Sequence, residues 1–165
     1  CPPCDPGQPE LVYDGLESLC GRMPCPWVLE AGSAASAATF HAGARGMTLD
    51  AGARVTRPLA GIPLALDGVA PAVHLLVSCD RGATLRIHFD ARESGTSVVV
   101  SGETRAGIGA GEAVIQSTVV TLSAPGVTAP TTLLLDRWIL EVTGVGACTV
   151  DELRILDGSE IRCDG

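Results

Sequence analysis

Short apolar blocks that alternate strictly with polar residues constrain the fold of this chain more than any other feature. In the segment 84–90, apolar side chains occupy positions 85, 87 and 89, and polar side chains occupy positions 86, 88 and 90. A period of two is that of a β-strand with one buried face. Similar blocks recur at short intervals and none sustains a helical period. The pattern therefore predicts an all-β sandwich of about 8–10 short strands.

The last block, Cys148–Ile155, changes parity in its middle. Cys148 and Val150 share one face, but the next apolar residues, Leu153 and Ile155, follow Val150 at an odd step. A strand can absorb that step only with an extra residue, so we predict a β-bulge at Asp151–Glu152.

Turn-forming residues predict how the strands are connected. Asp80–Ala83 reads as a hairpin turn between two well-defined strands. Pro58, Pro63 and Pro71 mark residues 57–72 as a long irregular connection, either a lid over the core or an apolar contact surface. The Ala- and Ser-rich stretch 31–40 predicts a weak strand, and residues 102–111 predict a Gly-rich loop.

Length and charge limit the classes of function. The 165 residues suit one domain, which we place at 10–165 after an extended Cys- and Pro-rich leader at 1–9. No apolar run approaches the length of a membrane-spanning helix. The net charge is −8 and there is no Lys, which argues against nucleic acid and anionic membrane surfaces as partners.

Seven cysteines are more typical of exported proteins than of cytosolic ones. Cys20 and Cys25 bracket a short loop and predict a local disulfide. Zinc is the competing interpretation, but after the Cys-x-x-Cys pair at Cys1 and Cys4 no second such pair follows at zinc-ribbon spacing. We therefore expect an extracellular or cell-surface protein of a bacterium.

The chain starts at Cys1, as a bacterial lipoprotein does after its signal is cleaved. This predicts a lipid on Cys1, the one expected membrane contact, or else an intermolecular bridge. The alternative is that the chain begins at Cys1 only because its boundary was placed arbitrarily, just after a signal peptide.

Signatures of catalysis are missing from the sequence. His41, His74 and His88 lack metal-ligand spacing, and no Gly-x-Ser-x-Gly elbow occurs. His88 and Asp90 share the outer face of one strand, where a solvated surface is the simpler interpretation. The glycines of 107–111 are followed by neither Lys nor a helix, so they do not predict a phosphate loop. We expect no enzymatic activity.

Four motifs in order resemble those of bacterial galactose-binding-like jelly-roll modules, which include many carbohydrate-binding modules. They are Asp14–Glu17, Pro26–Trp27, the strand region 40–49 and the final Thr149–Ile155. The resemblance covers residues 10–156 and departs from the usual pattern at Leu16, where Phe is common, and at Glu152, where Asp is common. It implies a jelly roll of two antiparallel sheets, with the first and last strands side by side.

The resemblance also implies a site and two disulfides. In such modules the first-turn Glu and the late Asp often hold a structural calcium ion, which would make Glu17 and Asp151 its ligands here. The alternative is that both carboxylates cap exposed turns. Adjacent first and last strands suggest a Cys4–Cys163 disulfide, and the central strands suggest Cys79–Cys148. The six cysteines other than Cys1 permit many other pairings.

The few aromatic residues decide between two functions. Phe89 and Trp138 are in phase with core positions, and Trp27 is often partly buried in the resembling modules. Only Tyr13 and Phe40 then remain as candidate sugar platforms. We therefore expect a structural or surface-assembly protein that binds other subunits or copies of itself. The alternative is a carbohydrate-binding module that recognises an extracellular glycan.

Overall fold

The computed structural model describes residues 10–41, 44–67, 69–104 and 116–158. These ranges contain strands, turns and loops but no helix, and thus none long and apolar enough to cross a membrane. The predicted all-β class is therefore confirmed. The described strands, numbered β1 to β13 in chain order, are Glu10–Asp14, Leu19–Cys20, Met23–Pro24, Val28–Ala31, Ala34–His41, Ala44–Leu49, Arg54–Leu66, Ala72–Cys79, Ala83–Glu93, Thr96–Glu103, Gln116–Thr121, Thr131–Gly144 and Cys148–Leu156.

The strands of the described ranges form two large antiparallel sheets and one small hairpin. The six-stranded sheet has the order β11-β8-β13-β6-β5, with β1 also paired to β13. The five-stranded sheet has the order β10-β9-β12-β7-β4, and β2 pairs only with β3. The inner faces of the two large sheets enclose one apolar core. This arrangement confirms the predicted sandwich.

Three aromatic rings form the centre of that core. The Trp138 ring lies 5.4 Å from Phe89 and 5.5 Å from Trp27, measured between ring centroids. Phe89 and Trp138 are fully buried, as their phase predicted, and Trp27 is also buried rather than partly exposed. The alternation of the segment 84–90 is reproduced, since Leu85 and Ile87 point inward beside Phe89.

The predicted bulge lies in β13, at the point where that strand changes partner. Along one side β13 pairs with β6 at residues 148–150 and with β1 at residues 153–156. Along its other side, the pairing with β8 shifts register between Asp151 and Arg154. Glu152 has a φ of 51°, the left-handed conformation that an extra residue in a strand can adopt. The first and last strands are therefore neighbours, as the resemblance implied.

The prediction of an irregular connection over residues 57–72 was wrong, because β7 continues to Leu66. β4 pairs with β7 only as far as Thr56, so the rest of β7 has a sheet neighbour on one side alone in the described residues. Proline is tolerated at such an edge, where its missing N–H costs no ladder hydrogen bond. Pro58 and Pro63 lie there, and a bulge at Ala60–Gly61, both with positive φ, lies between them.

The predicted hairpin at Asp80–Ala83 was also wrong, because β8 and β9 belong to different sheets. The turn crosses between the sheets beside a second crossing, from β12 to β13. The Asp80 N–H donates to the carbonyl of Ala147 at 2.8 Å, and the Val145 N–H donates to that of Gly82 at 3.1 Å. Gly144 has a φ of 86° and would place any Cβ against the Gly82 carbonyl. Alternation shows which side chains point inward, but not which strand lies alongside.

Two predicted disulfides are confirmed, and two other predictions about cysteines lie outside the described residues. Cys20–Cys25 closes the β2–β3 hairpin, and Cys79–Cys148 joins β8 to β13 at a directly paired position. The Cys4–Cys163 disulfide, the lipid on Cys1, the leader 1–9 and all but the first three residues of the Gly-rich segment 102–111 fall outside the ranges that the structure describes.

Removing the Cys79–Cys148 disulfide should destabilise the fold more than removing Cys20–Cys25. The two bridges span sequence separations of 69 and 5 residues. The loop-entropy relation then gives costs of about 4 and about 2 kcal/mol for the respective double Cys→Ala variants. Urea unfolding of both variants and the native chain checks the order, and equal losses would contradict it.

Candidate functional site

A small open pocket lies beside the first turn, where β1 ends. Its volume is about 270 Å³, and it is lined by residues 13–18, Cys25, Pro26 and Arg57. These residues come from β1 and the following turn, from the end of the β2–β3 hairpin, and from β7. The pocket therefore forms where parts of both large sheets meet.

The carboxylate of Asp14 holds these parts together. Its Oδ1 accepts a hydrogen bond from the Leu16 N–H at 2.9 Å. Its Oδ2 accepts one from Trp27 Nε1 at 2.8 Å and one from Arg57 Nη1 at 2.7 Å. Asp14 is only 9% exposed, so this ion pair is shielded from most solvent. The sequence indicated Asp14 only as part of the first-turn motif, because its partners Trp27 and Arg57 are distant along the chain.

The local sequence explains the shape of the first turn. An Asp side chain readily bonds the backbone two residues on, which is the contact that Asp14 makes with Leu16. Leu16 has a φ of 57°, an uncommon conformation for a branched residue. Its side chain is buried in the core, which compensates for that strain. Gly15 leaves room for Tyr13, because a Cβ there would lie 2.9 Å from the phenol oxygen.

Arg57 supplies hydrogen-bond donors to the pocket. One guanidinium nitrogen, Nη1, is engaged by Asp14. The Nε atom is buried, and within the described residues it has no hydrogen-bond partner. A guanidinium carries five N–H donors in a fixed plane, so Arg57 retains donor capacity after the Asp14 contact.

Tyr13 is the exposed aromatic ring among the described side chains, at 47%. Its hydroxyl donates to Glu152 Oε2 at 2.6 Å, and the Arg154 guanidinium lies 4.8 Å from the ring centroid. The hydrogen bond to Glu152, with desolvation second, raises the pKa of Tyr13 to about 12. The bulge in β13 thus has a role at the pocket rim, since it carries the residue that orients Tyr13.

The predicted calcium ligands, Glu17 and Asp151, have different surroundings. Glu17 is exposed, and its Oε1 accepts a hydrogen bond from the Arg45 N–H at 3.0 Å. Asp151 is fully buried, and its Oδ1 accepts one from the Glu152 N–H at 2.7 Å. In the parts of the chain that the structure describes, no three His, Cys, Asp or Glu side chains gather as metal ligands. Calcium at Glu17 and Asp151 stays a prediction.

The outer face of the five-stranded sheet carries a chain of ion pairs. Arg137 contacts Asp90 and Glu30 at 2.8 and 2.9 Å, and Arg54 contacts Glu30 and Glu141 at 3.0 and 3.1 Å. Asp90 is therefore paired with Arg137, and it does not form an acid–base pair with His88. Burial, followed by the charge of Arg86, lowers the pKa of His88.

One histidine–serine contact escaped sequence analysis, because it joins two strands. His74 Nε2 lies 2.6 Å from Ser117 Oγ on the outer face of the six-stranded sheet. The residue paired with His74 on β13 is Arg154, a cation rather than a carboxylate that could orient an imidazole base. The contact is also exposed, and an exposed hydrogen bond of this kind does not by itself indicate a catalytic site.

A second cavity, of about 280 Å³, is mainly apolar. It lies where β7 ends, and its walls include Leu66, Val69, Leu122 and Val127. The apolar residues of the 57–72 segment thus partly line a cavity and partly belong to a strand. Asp67 is the one ionisable residue of its lining.

Comparisons with known proteins identify the fold. No family model and no curated protein matches this chain. The structure of the Clostridium thermocellum N-terminal endo-1,4-β-D-xylanase 10B CBM22-1–GH10 modules with xylohexaose matches with a TM-score of 0.52 and 16% identity. The match covers 90% of this chain but 28% of that one. It confirms the jelly-roll fold that the resemblance implied.

Two other solved structures are similar at lower scores. CsCBM6-3 from Clostridium stercorarium in complex with cellobiose has a TM-score of 0.45 and 16% identity over 79% of this chain and 86% of that one. TmCBM61 in complex with β-1,4-galactotriose has a TM-score of 0.45 and 10% identity over 81% of this chain and 89% of that one.

Replacing Asp14 with Asn should destabilise the protein, because it leaves the Arg57 guanidinium without its anionic partner. Breaking a fully buried ion pair costs more than breaking this partly exposed one. We therefore expect a loss of about 2 kcal/mol in the free energy of unfolding. Urea unfolding of Asp14→Asn measures the loss. Asp50→Asn, at an exposed position, is the control; an equal effect of the two substitutions would refute the central role of Asp14.

The phenol of Tyr13, the sole tyrosine of the chain, should titrate near pH 12 rather than near its ordinary 10. The tyrosinate absorbance band reports this titration directly. Glu152→Gln should bring the midpoint back towards 10, whereas Glu103→Gln on β10 should not. Because the folded state keeps this proton longer than the unfolded state, stability should fall as the pH rises from 10 towards 12. A native midpoint near 10 would contradict the Tyr13–Glu152 hydrogen bond.

Proposed function

We propose that this protein is a non-catalytic module that binds a glycan in the pocket beside the first turn. The observation that carries the proposal is the pocket lining, which combines an exposed tyrosine ring with a guanidinium, a carboxylate and a hydroxyl. The jelly-roll fold supports it, since the similar xylanase structure includes a carbohydrate-binding module and xylohexaose.

The chemistry of the lining suits a sugar. A sugar ring presents neighbouring hydroxyl groups, each of which can donate and accept a hydrogen bond, and a C–H face that packs on aromatic rings. Arg57 can donate to one hydroxyl, Glu17 can accept from the next, and Ser18 can do either. Hydrogen bonds to ionised groups are about twice as strong as those between neutral groups. Tyr13 supplies the apolar surface.

The structure supports glycan binding better than the assembly role that the sequence favoured. The predicted apolar contact surface at 57–72 is largely a strand, whose Leu59 and Leu64 are buried in the core. Large exposed apolar side chains among the described residues are spread over several elements; they include Val28, Val119 and Val145. Scattered exposed apolar residues are normal on a monomer and do not indicate a partner.

The same proposal covers the setting in which the module acts. The two disulfides suit an oxidising compartment, so we place the protein outside the cytoplasm. A lipid on Cys1 would hold it at a bacterial cell surface. Intact mass under non-reducing conditions tests the lipid and the covalent partners together, and an unmodified N-terminus in the native protein would refute the lipid.

The structural calcium ion predicted at Glu17 and Asp151 is an alternative role for Glu17, and it has its own test. Elemental analysis of the purified protein should find one equivalent of calcium per chain, and the Glu17→Ala variant should lose it. Clearly substoichiometric calcium in the native protein would contradict the prediction.

Glycan-array screening followed by titration calorimetry tests the proposed binding. Tyr13→Ala should weaken the affinity for any bound glycan about tenfold, which corresponds to about 1.4 kcal/mol of lost packing and hydrogen bonding. Val119→Ala, on the exposed edge strand β11, is the matched control and should leave the affinity unchanged. Binding that Tyr13→Ala does not weaken would place the glycan elsewhere, and no binding to any glycan would refute the proposed function.

A further inference from the structure

We infer that the pocket takes one neutral sugar ring at the end of a glycan, rather than an internal stretch of chain. The inference rests on the proposed function and specifies its ligand class. Two observations carry it: the size of the pocket together with the bonded contacts among its lining residues, and the charges of that lining.

The volume leaves room for about one ring. Sites for drug-sized ligands occupy roughly 300–1,000 Å³, and the pocket, at about 270 Å³, falls just below that range. An internal segment of polysaccharide places consecutive rings in a row and requires a groove that continues past each end. A pocket of this size accommodates one ring and leaves its neighbour in solvent.

The walls of the pocket are tied in place, so it does not extend readily into a groove. On one side the Cys25 N–H donates to the Ser18 carbonyl at 2.8 Å, and the Cys20–Cys25 disulfide braces the same hairpin. On the other side the Tyr13 hydroxyl is held by Glu152. At the base, Asp14 and Arg57 form their ion pair. These three contacts therefore restrain the lining on the hairpin, at Tyr13 and at Arg57.

The charge of the site favours a neutral ligand. Asp14 already neutralises Arg57 at 2.7 Å, and Glu17 adds a second carboxylate to the lining. Tyr13 adds no charge at physiological pH, since even an ordinary phenol has a pKa of about 10. The whole chain carries a net charge of −8. A uronic acid would meet like charge in the pocket and around it, whereas a neutral pair of hydroxyls can bridge Arg57 and Glu17.

Calorimetry with the full chain tests the ligand class. The probes are the methyl glycosides of xylose, glucose and galactose, their β-1,4-linked oligosaccharides from two to six rings, and the methyl glycosides of glucuronic and galacturonic acid. For the sugar that binds, we expect the affinities of the one-ring and six-ring probes to differ by no more than about threefold. That corresponds to a difference in binding free energy of under about 1 kcal/mol. The uronates should bind at least about tenfold more weakly.

A label at the single tyrosine reports on the site itself. In protein made with 3-fluorotyrosine, the one fluorine resonance should shift on adding the bound one-ring probe. Glu17→Gln should weaken the affinity about tenfold by removing a charged acceptor, and the exposed Glu103→Gln should leave it unchanged. No change at the fluorine when the probe binds, or an equal effect of both substitutions, would overturn the assignment of the pocket.

The outcomes separate the inference from the function on which it rests. Affinity that rises tenfold or more from one ring to four, or uronates that bind at least as well as neutral sugars, would overturn the inference and leave glycan binding intact. If the array and every probe fail to bind, the proposed function fails, and the inference fails with it.

Discussion

The interaction on which the rest of the structure depends is the triple contact of the Asp14 carboxylate. Asp14 belongs to β1, which is part of the six-stranded sheet, whereas Arg57 belongs to β7 of the five-stranded sheet. A shielded ion pair contributes less net stability than its geometry suggests, because desolvation of both charges offsets their attraction. The contact instead fixes the relative positions of its partners, because few arrangements of the carboxylate satisfy all three donors. The first turn, the Trp27 indole and the edge of β7 are therefore held at one relative placement, and the first turn and Arg57 of β7 line the pocket.

The bulge in β13 is a second feature that shapes the site, because it places Glu152 against the Tyr13 hydroxyl. Its extra residue allows one strand to pair with β6 along its first half and with β1 along its second. It also turns Glu152 to the outer surface, where the carboxylate accepts the Tyr13 hydroxyl. An irregularity in a central strand weakens the ladder locally, and bulges are common beside functional sites for the reason seen here. They direct one side chain away from the regular alternation.

The charged outer face of the five-stranded sheet has a different character from the pocket. Its arginines and carboxylates bind one another in a continuous series, and the Arg54 hydrogen bond lowers the pKa of Glu30. Exposed ion pairs of this kind contribute little individually, although a network holds its side chains in register. The pocket differs because Asp14 engages one nitrogen of Arg57, Nη1, and the guanidinium carries further N–H donors. The donors of the ion-pair network are already engaged by carboxylates, whereas the further donors of the Arg57 guanidinium can bind a ligand.

The sequence by itself determined the properties that depend on neighbours along the chain. It predicted the strand positions in most segments, the inward faces with Phe89 and Trp138, the bulge at Asp151–Glu152 and the local Cys20–Cys25 disulfide. The resemblance added the jelly roll and the Cys79–Cys148 pair. Only the tertiary structure decided the pairing of strands, and so it corrected the hairpin at 80–83 and the loop at 57–72. It alone also assembled the pocket, because Tyr13 and Glu152 lie 139 residues apart. Side-chain alternation is a local consequence of backbone geometry, whereas pairing and enclosure result from contacts between distant segments, which no local pattern specifies.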